Sequence, residues 1–165
     1  DEDYRKLMTN SLKRAFYPIN DKTKFKISQI FRKLTKDKKL QKIKLNIKGR
    51  QFIISDFYEG VASFDFKKLC DVNIGAEDYI KIAENCKFIV IQNIPSFNDL
   101  NINQQQRFIT LIDILYEKQI PLMISMELKL ENIGSSQKLA EPFKRTLSRL
   151  FELTSPRDNL SLKVV

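Results

Sequence analysis

The sequence predicts a mixed α/β fold, in which a β-hairpin is followed by a strand–helix–strand (βαβ) unit and a C-terminal helix. Residues 42–48 alternate strictly between polar and apolar side chains, as in a strand with one buried face. Two short apolar runs, at residues 87–93 and 121–126, have the near-continuous hydrophobicity of parallel strands that are buried on both faces. Residues 104–118, between these runs, carry apolar side chains at helical spacing.

The chain before the hairpin is predicted to hold one helix. Residues 4–17 mix basic and apolar side chains without a clear period, which indicates a short strand, a loop and a second extended piece. Pro18 disfavours helix at Tyr17. Asp21 is predicted to cap a helix over residues 22–34. The predicted apolar face of this helix comprises Phe25, Ile27, Ile30, Phe31 and Leu34.

The hairpin is predicted from two strands and the turn between them. The first strand directs Ile43, Leu45 and Ile47 inward, and the turn contains Gly49. Residues 51–56 form the returning strand. After a second turn at Gly60, residues 61–66 are predicted either as another strand or as the approach to a short helix.

The remaining helices follow from the same periodicity. Residues 76–86 are predicted as a helix whose apolar positions are Tyr79, Ile80, Ile82 and Ala83. The βαβ unit spans residues 87–127. The apolar positions of its crossover helix are Phe108, Leu111, Ile112 and Leu115. Pro142 fits the first turn of a C-terminal helix over residues 142–153. Its predicted apolar side comprises Phe143, Leu147, Leu150 and Phe151.

Charge divides the chain into a basic segment, residues 1–50, and an α/β portion, residues 51–165. The first holds 16 Lys and Arg against 5 Asp and Glu, and the second holds 13 against 15. Such a basic segment could contact an acidic protein, an anionic membrane or nucleic acid, or could simply be a solvated surface. Cys70 and Cys86 are predicted to be buried free thiols. We expect one compact unit that is part of a larger chain, without a transmembrane span.

Several kinds of catalytic site are excluded by composition. The chain has no His, so a Ser-His-Asp or Cys-His mechanism is not available. Its four glycines cannot form the phosphate-binding GxxxxGK[ST] loop. The first strand of the βαβ unit ends in Gln92 and Asn93, where a magnesium-binding strand would end in acidic residues. No catalytic residue and no metal ligand is therefore predicted.

Two features of the crossover helix and the C-terminal helix have alternative interpretations. Arg145 and Arg149 lie four residues apart, so their guanidinium groups share a helix face that can hold a phosphate or a carboxylate. The alternative is surface pairing with Glu141 or Glu152. Asp113 and Glu117, on the crossover helix, have the same spacing, which is more typical of a solvated face than of an acid–base pair.

A set of ordered sequence blocks, running from about residue 3 to residue 155, resembles one known family. The blocks are VASFDFKKLC from Val61, GAEDY from Gly75, NIP from Asn93, RFITLIDILYE from Arg107 and FKRTLSRL from Phe143. Together they resemble the C-terminal portion of the AFG-type, ZapE-like ATPases of the AAA+ class. The resemblance implies a parent enzyme that uses ATP and Mg²⁺, with its Walker A and Walker B motifs upstream of the matched region.

The resemblance also implies roles for individual residues. Arg145, Thr146, Ser148 and Arg149 match the family's F-x-R-T-x-S-R-L block, and AAA+ ATPases often use a C-terminal arginine to sense nucleotide. Arg145 and Arg149 are therefore the candidate nucleotide-sensing residues. Five other matching positions are interpreted as structural: Asp65, Tyr79, Asn93, Arg107 and Asp113.

Two hypotheses for function follow. In the first, the chain is a segment of an ATPase that serves cell-division regulation in the bacterial cytoplasm, or protein quality control in mitochondria. It would contact the ATPase core, neighbouring subunits of a homo-oligomer or a protein client, with peripheral membrane association as a further option, and would not hydrolyse ATP alone. In the second, it is a non-enzymatic module that docks acidic partners through residues 1–50. Nucleic-acid binding is disfavoured because no recognisable module is present.

Overall fold

A computed structural model of the chain describes residues 13–156, which form one six-stranded sheet with five α-helices. The strands are β1 (Ala15–Phe16), β2 (Leu40–Ile47), β3 (Arg50–Tyr58), β4 (Val61–Asp65), β5 (Phe88–Ile94) and β6 (Leu122–Met126). The helices are α1 (Asp21–Thr35), α2 (Phe66–Cys70), α3 (Ala76–Asn85), α4 (Ile102–Glu117) and α5 (Ala140–Thr154). No helix within the described residues is long and apolar enough to cross a lipid bilayer.

The strand order is β1-β6-β5-β4-β3-β2. Strands β1, β6, β5 and β4 pair in parallel, whereas β3 and β2 are antiparallel additions to the β4 edge. The parallel pairing of β5 with β6 across α4 confirms the predicted βαβ unit. The mixed α/β class, the hairpin and the C-terminal helix are confirmed as well.

The two faces of the sheet are covered unequally. Helices α2, α3, α4 and α5 pack on one face and enclose the larger core, which includes Phe64, Ile91 and Phe108. Helix α1 packs on the other face, where Ile27 and Leu34 contact a smaller core that contains Val61, Phe88, Val90 and Met123. Strand β6 is buried along its whole length because helices cover both of its faces.

Helix α1 begins one residue earlier than predicted. The side chain of Asn20 accepts a hydrogen bond from the backbone N–H of Thr23, and the Thr23 hydroxyl accepts one from the backbone N–H of Asn20. This capping box makes Asn20 the N-cap, so the assignment of Asp21 was wrong by one position. Asp21 instead lies in the first turn, where its charge favours the helix dipole.

Three apolar side chains predicted to face the core are exposed. Phe25 is 58% exposed, Phe151 56% and Ile80 40%. At 3.6 residues per turn, Phe25 lies about 180° around α1 from Leu34, so both cannot face the sheet. The other two lie about 100° from the centres of their helices' buried stripes, which are narrower than the apolar pattern indicated.

The hairpin extends beyond the rest of the sheet. Lys48 and Gly49 form its two-residue turn with φ values of 49° and 79°, a left-handed conformation that glycine adopts readily. Leu45 and Ile47 are buried as predicted, and Ile43 is half-buried. Strand β3 is nine residues long, yet it pairs with β4 only from Asp56 to Tyr58.

Helix α3 supports the part of the hairpin that β4 does not reach. The Lys48 ammonium lies 2.8 Å from the Glu77 carboxylate, and Arg50 Nη2 lies 3.1 Å from the Asp78 carboxylate. Asp78 is buried and also accepts a hydrogen bond from the backbone N–H of Gly75. One carboxylate therefore both caps α3 and holds the hairpin.

Arg14 is a fully buried cation that joins three elements. Its guanidinium donates to the carbonyl oxygens of Leu122 at 3.0 Å, Leu153 at 2.9 Å and Ser155 at 3.3 Å. Its backbone carbonyl accepts from Ile124, which fixes β1 beside β6. A cation at the C-terminus of α5 also interacts favourably with the helix dipole.

Strand β1 confirms the second extended piece predicted before Pro18, whereas the piece predicted at Tyr4 lies outside the described residues.

Both thiols are free, with Cys70 fully buried and Cys86 half-buried. Burial raises the pKa of each thiol from 9.0 to about 12. The reactive thiolate is therefore about a thousandfold rarer in the folded chain than in the unfolded chain at about pH 8. We expect iodoacetamide to modify the native protein far more slowly than the guanidinium-denatured protein, as measured by mass spectrometry. Equal rates would contradict the assigned burial.

Candidate functional site

A cleft of about 550 Å³ opens where the parallel strands β4, β5 and β6 end. Asp65 is the last residue of β4, Asn93 lies near the end of β5, and Glu127 follows β6. In open α/β sheets, ligands bind in the crevice outside the carboxyl ends of the strands. The cleft therefore occupies the position where this fold class places its binding sites, although the sequence patterns did not predict it.

Two pairs of polar side chains in the cleft are hydrogen-bonded to each other. Asn93 Nδ2 donates to Asp65 Oδ1 at 2.6 Å, and the backbone N–H of Asn93 donates to Ser125 Oγ at 2.8 Å. These bonds hold Asn93 in a left-handed conformation, with φ of 67°. Across the cleft, Gln104 Nε2 donates to Asp71 Oδ1 at 2.9 Å.

The charges of the cleft do not fit a nucleotide. Its lining includes three carboxylates, those of Asp65, Asp71 and Glu127, and one ammonium group, that of Lys67. A phosphate chain requires converging N–H groups and cations, so this lining repels it. Within residues 13–156, no three Asp, Glu or Cys side chains converge as a metal-ligand group.

The two candidate arginines of α5 have different surroundings. Arg149 Nη1 donates to Asp113 Oδ1 of α4 at 2.6 Å, and its guanidinium carbon lies 4.7 Å from the centre of the Tyr116 ring. Arg145, one turn earlier, is exposed and has no ion pair or side-chain hydrogen bond within the described residues. Arg149 therefore joins α4 to α5, and Arg145 points its charge to solvent.

The alternative prediction, that Arg145 and Arg149 pair with Glu141 or Glu152, was wrong. Glu141 pairs with Lys144 at 3.0 Å, and Glu152 accepts a hydrogen bond from the Tyr116 hydroxyl. Asp113, considered as a solvated residue, instead pairs with Arg149 across the helix–helix contact. The carboxylate that binds Arg149 is distant in sequence, and helical spacing on α5 alone could not identify it.

The ion pair between Arg149 and Asp113 should contribute modestly to stability. Its side chains are 27% and 35% exposed, so we expect a coupling free energy of about 0.5–1 kcal/mol. A double-mutant cycle with Arg149→Ala and Asp113→Ala, followed by urea unfolding, measures it. The matched control is Lys144 with Glu141, which are 73% and 83% exposed and should show coupling near zero. Equal coupling in both cycles would contradict the assignment.

The remaining positions interpreted as structural make structural contacts. The Asp65 side chain caps α2 by accepting from the backbone N–H of Lys67. The Tyr79 hydroxyl donates to the Leu69 carbonyl at 2.6 Å, and Arg107 Nη1 donates to the Cys70 carbonyl at 3.1 Å. The last carbonyl groups of α2 are thus satisfied by side chains from α3 and α4.

Comparison with known proteins identifies relatives across most of the chain. The family model for AFG1-like ATPases matches residues 1–159. The cell division protein ZapE of Escherichia coli K12 is 26% identical over 153 residues, which cover 93% of this chain and 41% of ZapE. Lactation elevated protein 1 homolog B of Danio rerio is 30% identical over 89 residues, 54% of this chain and 18% of that protein. The chain thus spans about two-fifths of the length of ZapE. No solved structure matched it.

Proposed function

Because the chain belongs to the AFG1-like ATPase family, we propose that it forms an accessory α/β segment that assists hydrolysis without carrying the hydrolytic site. In this proposal ATP and Mg²⁺ are held by the part of the ATPase that carries the Walker motifs. The segment contributes through contact with that core or with a neighbouring subunit of a homo-oligomer.

The character of the cleft supports an accessory role. Three carboxylates and one lysine line the space at the strand ends, and two of the carboxylates already accept hydrogen bonds from neighbouring amide groups. Gln92 and Asn93 lie just before the last residue of β5, which ends at Ile94, so the end of the strand offers amide groups where a Walker B strand offers carboxylates. We therefore assign no step of hydrolysis to this cleft.

The observation that carries the proposal is the contrast between the two arginines. Arg149 is committed to Asp113 and Tyr116 and acts as a positioning residue for α5. Arg145 extends from the same helix with no partner within residues 13–156, so its fork of N–H donors is available to a phosphate bound by an adjacent chain. We assign nucleotide sensing to Arg145, with Arg149 holding the helix that presents it.

The wider role is proposed from the relatives. ZapE is named as a cell division protein, and we propose ATP-dependent regulation of cell division in the bacterial cytoplasm for the protein that contains this segment. Protein quality control in mitochondria is the alternative. The partner in either case is a protein client, and peripheral attachment to a membrane is compatible with both.

Loss of Arg145 should impair ATP hydrolysis without affecting folding. A hydrogen bond to a charged group contributes about 1.5–3 kcal/mol, so Arg145→Ala should lower kcat about tenfold or more in the ATPase that contains this segment. Steady-state phosphate release measures this, and thermal unfolding should be unchanged because Arg145 has no ion pair or side-chain hydrogen bond within residues 13–156. The isolated 165-residue chain should show no ATP binding by fluorescent-nucleotide titration.

The matched control is Lys144→Ala, which removes the adjacent exposed cation of the same helix. It should leave kcat unchanged, which separates a specific guanidinium from general positive charge. Arg145→Lys should recover part of the activity at most, since an ammonium group cannot bind two oxygens in the same fork. Undiminished hydrolysis in Arg145→Ala would remove the sensing assignment.

A further inference from the structure

The net charge of the chain is concentrated in residues 22–44. We refer to the Lys and Arg side chains of this stretch as the basic face. The stretch holds ten of the 29 Lys and Arg residues but one of the 20 Asp and Glu residues, Asp37, which leaves 19 of each elsewhere. The whole net charge of +9 therefore lies on one helix, one loop and one strand.

Most of these cations are exposed, and none of them forms an ion pair with another described residue. Nine of the ten side chains are on exposed residues, and Lys38 is half-buried. Among the described residues, every ion pair joins other parts of the chain, such as Lys48 with Glu77 and Arg149 with Asp113. An unneutralised field of one sign attracts and steers an oppositely charged partner.

The basic face continues from α1 onto an open strand edge. β2 is the last strand of the sheet, and no other strand within residues 13–156 pairs with its free side. The apolar side chains of β2 point toward the larger core: Ile43, Leu45 and Ile47. Lys44 and Asn46 alternate with them and therefore point to the opposite face of the sheet, the face on which α1 packs. An open edge supplies unpaired backbone N–H and C=O groups to an added strand.

Two apolar side chains stand within this charged surface. Phe25 is 58% exposed on α1, and Leu40 is 56% exposed at the start of β2. Single exposed apolar residues that are surrounded by charge can anchor a protein partner, because they desolvate against its apolar side chains.

These features discriminate between kinds of partner. A second copy of the chain is repelled, since lysines on an edge strand oppose self-association. A single-stranded nucleic acid requires successive aromatic platforms, and Phe25 is the one exposed ring between residues 22 and 44. The basic face has nine lysines and one arginine. Lysine cannot form the bidentate hydrogen bonds by which a guanidinium group recognises bases and phosphates.

We propose that the basic face docks an acidic segment of a partner protein, which lies along α1 and the open edge of β2 and places an apolar side chain against Phe25. This inference does not depend on the α5 arginines. Its success or failure is therefore separate from the nucleotide-sensing proposal.

The test uses the 165-residue chain and two fluorescein-labelled peptides of about 16 residues that alternate glutamate with serine. One peptide carries a central leucine, and the other has serine in its place. The face variant replaces four lysines by glutamine: Lys33, Lys36, Lys42 and Lys44. The matched control replaces four exposed lysines elsewhere: Lys81, Lys118, Lys138 and Lys144.

In fluorescence anisotropy, the face variant should bind either peptide about tenfold more weakly. Each lost ion pair weakens the affinity only slightly, and the variant loses four cations. The control variant should change the Kd by less than about twofold, although its net charge is the same. Phe25→Ser should weaken binding of the leucine peptide about threefold and leave the leucine-free peptide unaffected.

Three outcomes would overturn the proposal. Equal weakening in the face and control variants would show a general effect of charge. Tighter binding to oligothymidylate or to phosphatidylserine vesicles than to the leucine peptide, at the same ionic strength, would reassign the face to nucleic acid or membrane. Absence of peptide binding even at low salt would remove the site altogether.

Discussion

Replacing Arg14 by alanine is expected to lower the free energy of unfolding by about 3–5 kcal/mol. The side chain is fully buried, and its guanidinium donates to carbonyl groups from β6 and from the end of α5. Its removal leaves the carbonyl oxygens of Leu122 and Leu153 without these donors in a site that water does not reach readily. It also leaves a cavity between the sheet and α5, which adds to the cost.

Chemical unfolding of the purified variants measures this effect, with Arg32→Ala as the matched control. Arg32 is an exposed arginine of α1, so its loss should change stability by less than about 0.5 kcal/mol. Arg14→Lys should fall between the two, because it retains the charge and loses the planar fork. Similar midpoints for Arg14→Ala and Arg32→Ala would show that the buried guanidinium does not stabilise the fold.

Truncation of Phe108 should cost a comparable amount, about 3–5 kcal/mol. Phe108 is fully buried on α4, and its ring centre lies 5.7 Å from that of Phe66 and 5.6 Å from that of Phe97. Phe143 of α5 joins the same cluster through Phe97, at 5.5 Å. Phe108→Ala therefore removes the side chain through which α4 contacts α2 and the loop after β5. The remaining rings cannot fill the cavity that it leaves.

Phe25→Ala is the matched control for Phe108→Ala, since the same side chain is lost from a position that is 58% exposed. Its unfolding midpoint should remain near that of the unaltered protein. Thermal unfolding followed by circular dichroism measures both variants. A large loss of stability in Phe25→Ala would mean that the outer face of α1 is covered in solution.

The elements that the sequence predicted are those specified by local periodicity. Alternation over residues 42–48 predicts β2, because a strand buried on one face alternates polar and apolar side chains. The apolar runs on either side of α4 predict β5 and β6, because a strand buried on both faces is apolar throughout. Helix existence was predicted well, and helix faces less well. Phe25, Ile80 and Phe151 continue apolar patterns, but a helix that rests on a flat sheet buries only a narrow stripe.

The features that the sequence did not predict depend on contacts between distant residues. Arg14 lies in a stretch without a clear period, and its carbonyl partners belong to β6 and to the end of α5. The bond between Asn93 and Asp65 forms because two parallel strands end side by side, which neither strand's own sequence specifies. The spacing of Arg145 and Arg149 on α5 could not show that α4 supplies a carboxylate to one of the two.

The hairpin's limited attachment has a consequence for local opening. Residues 50–55 of β3 have no pairing with β4, and this part of the hairpin is held by its buried apolar side chains and by the ion pairs of Lys48 and Arg50 with the first turn of α3. Few backbone contacts must break for this tip to separate, so its amides should exchange hydrogen with solvent at a lower free energy than those of β5 and β6. We therefore expect the hairpin tip to open locally while the parallel strands stay paired.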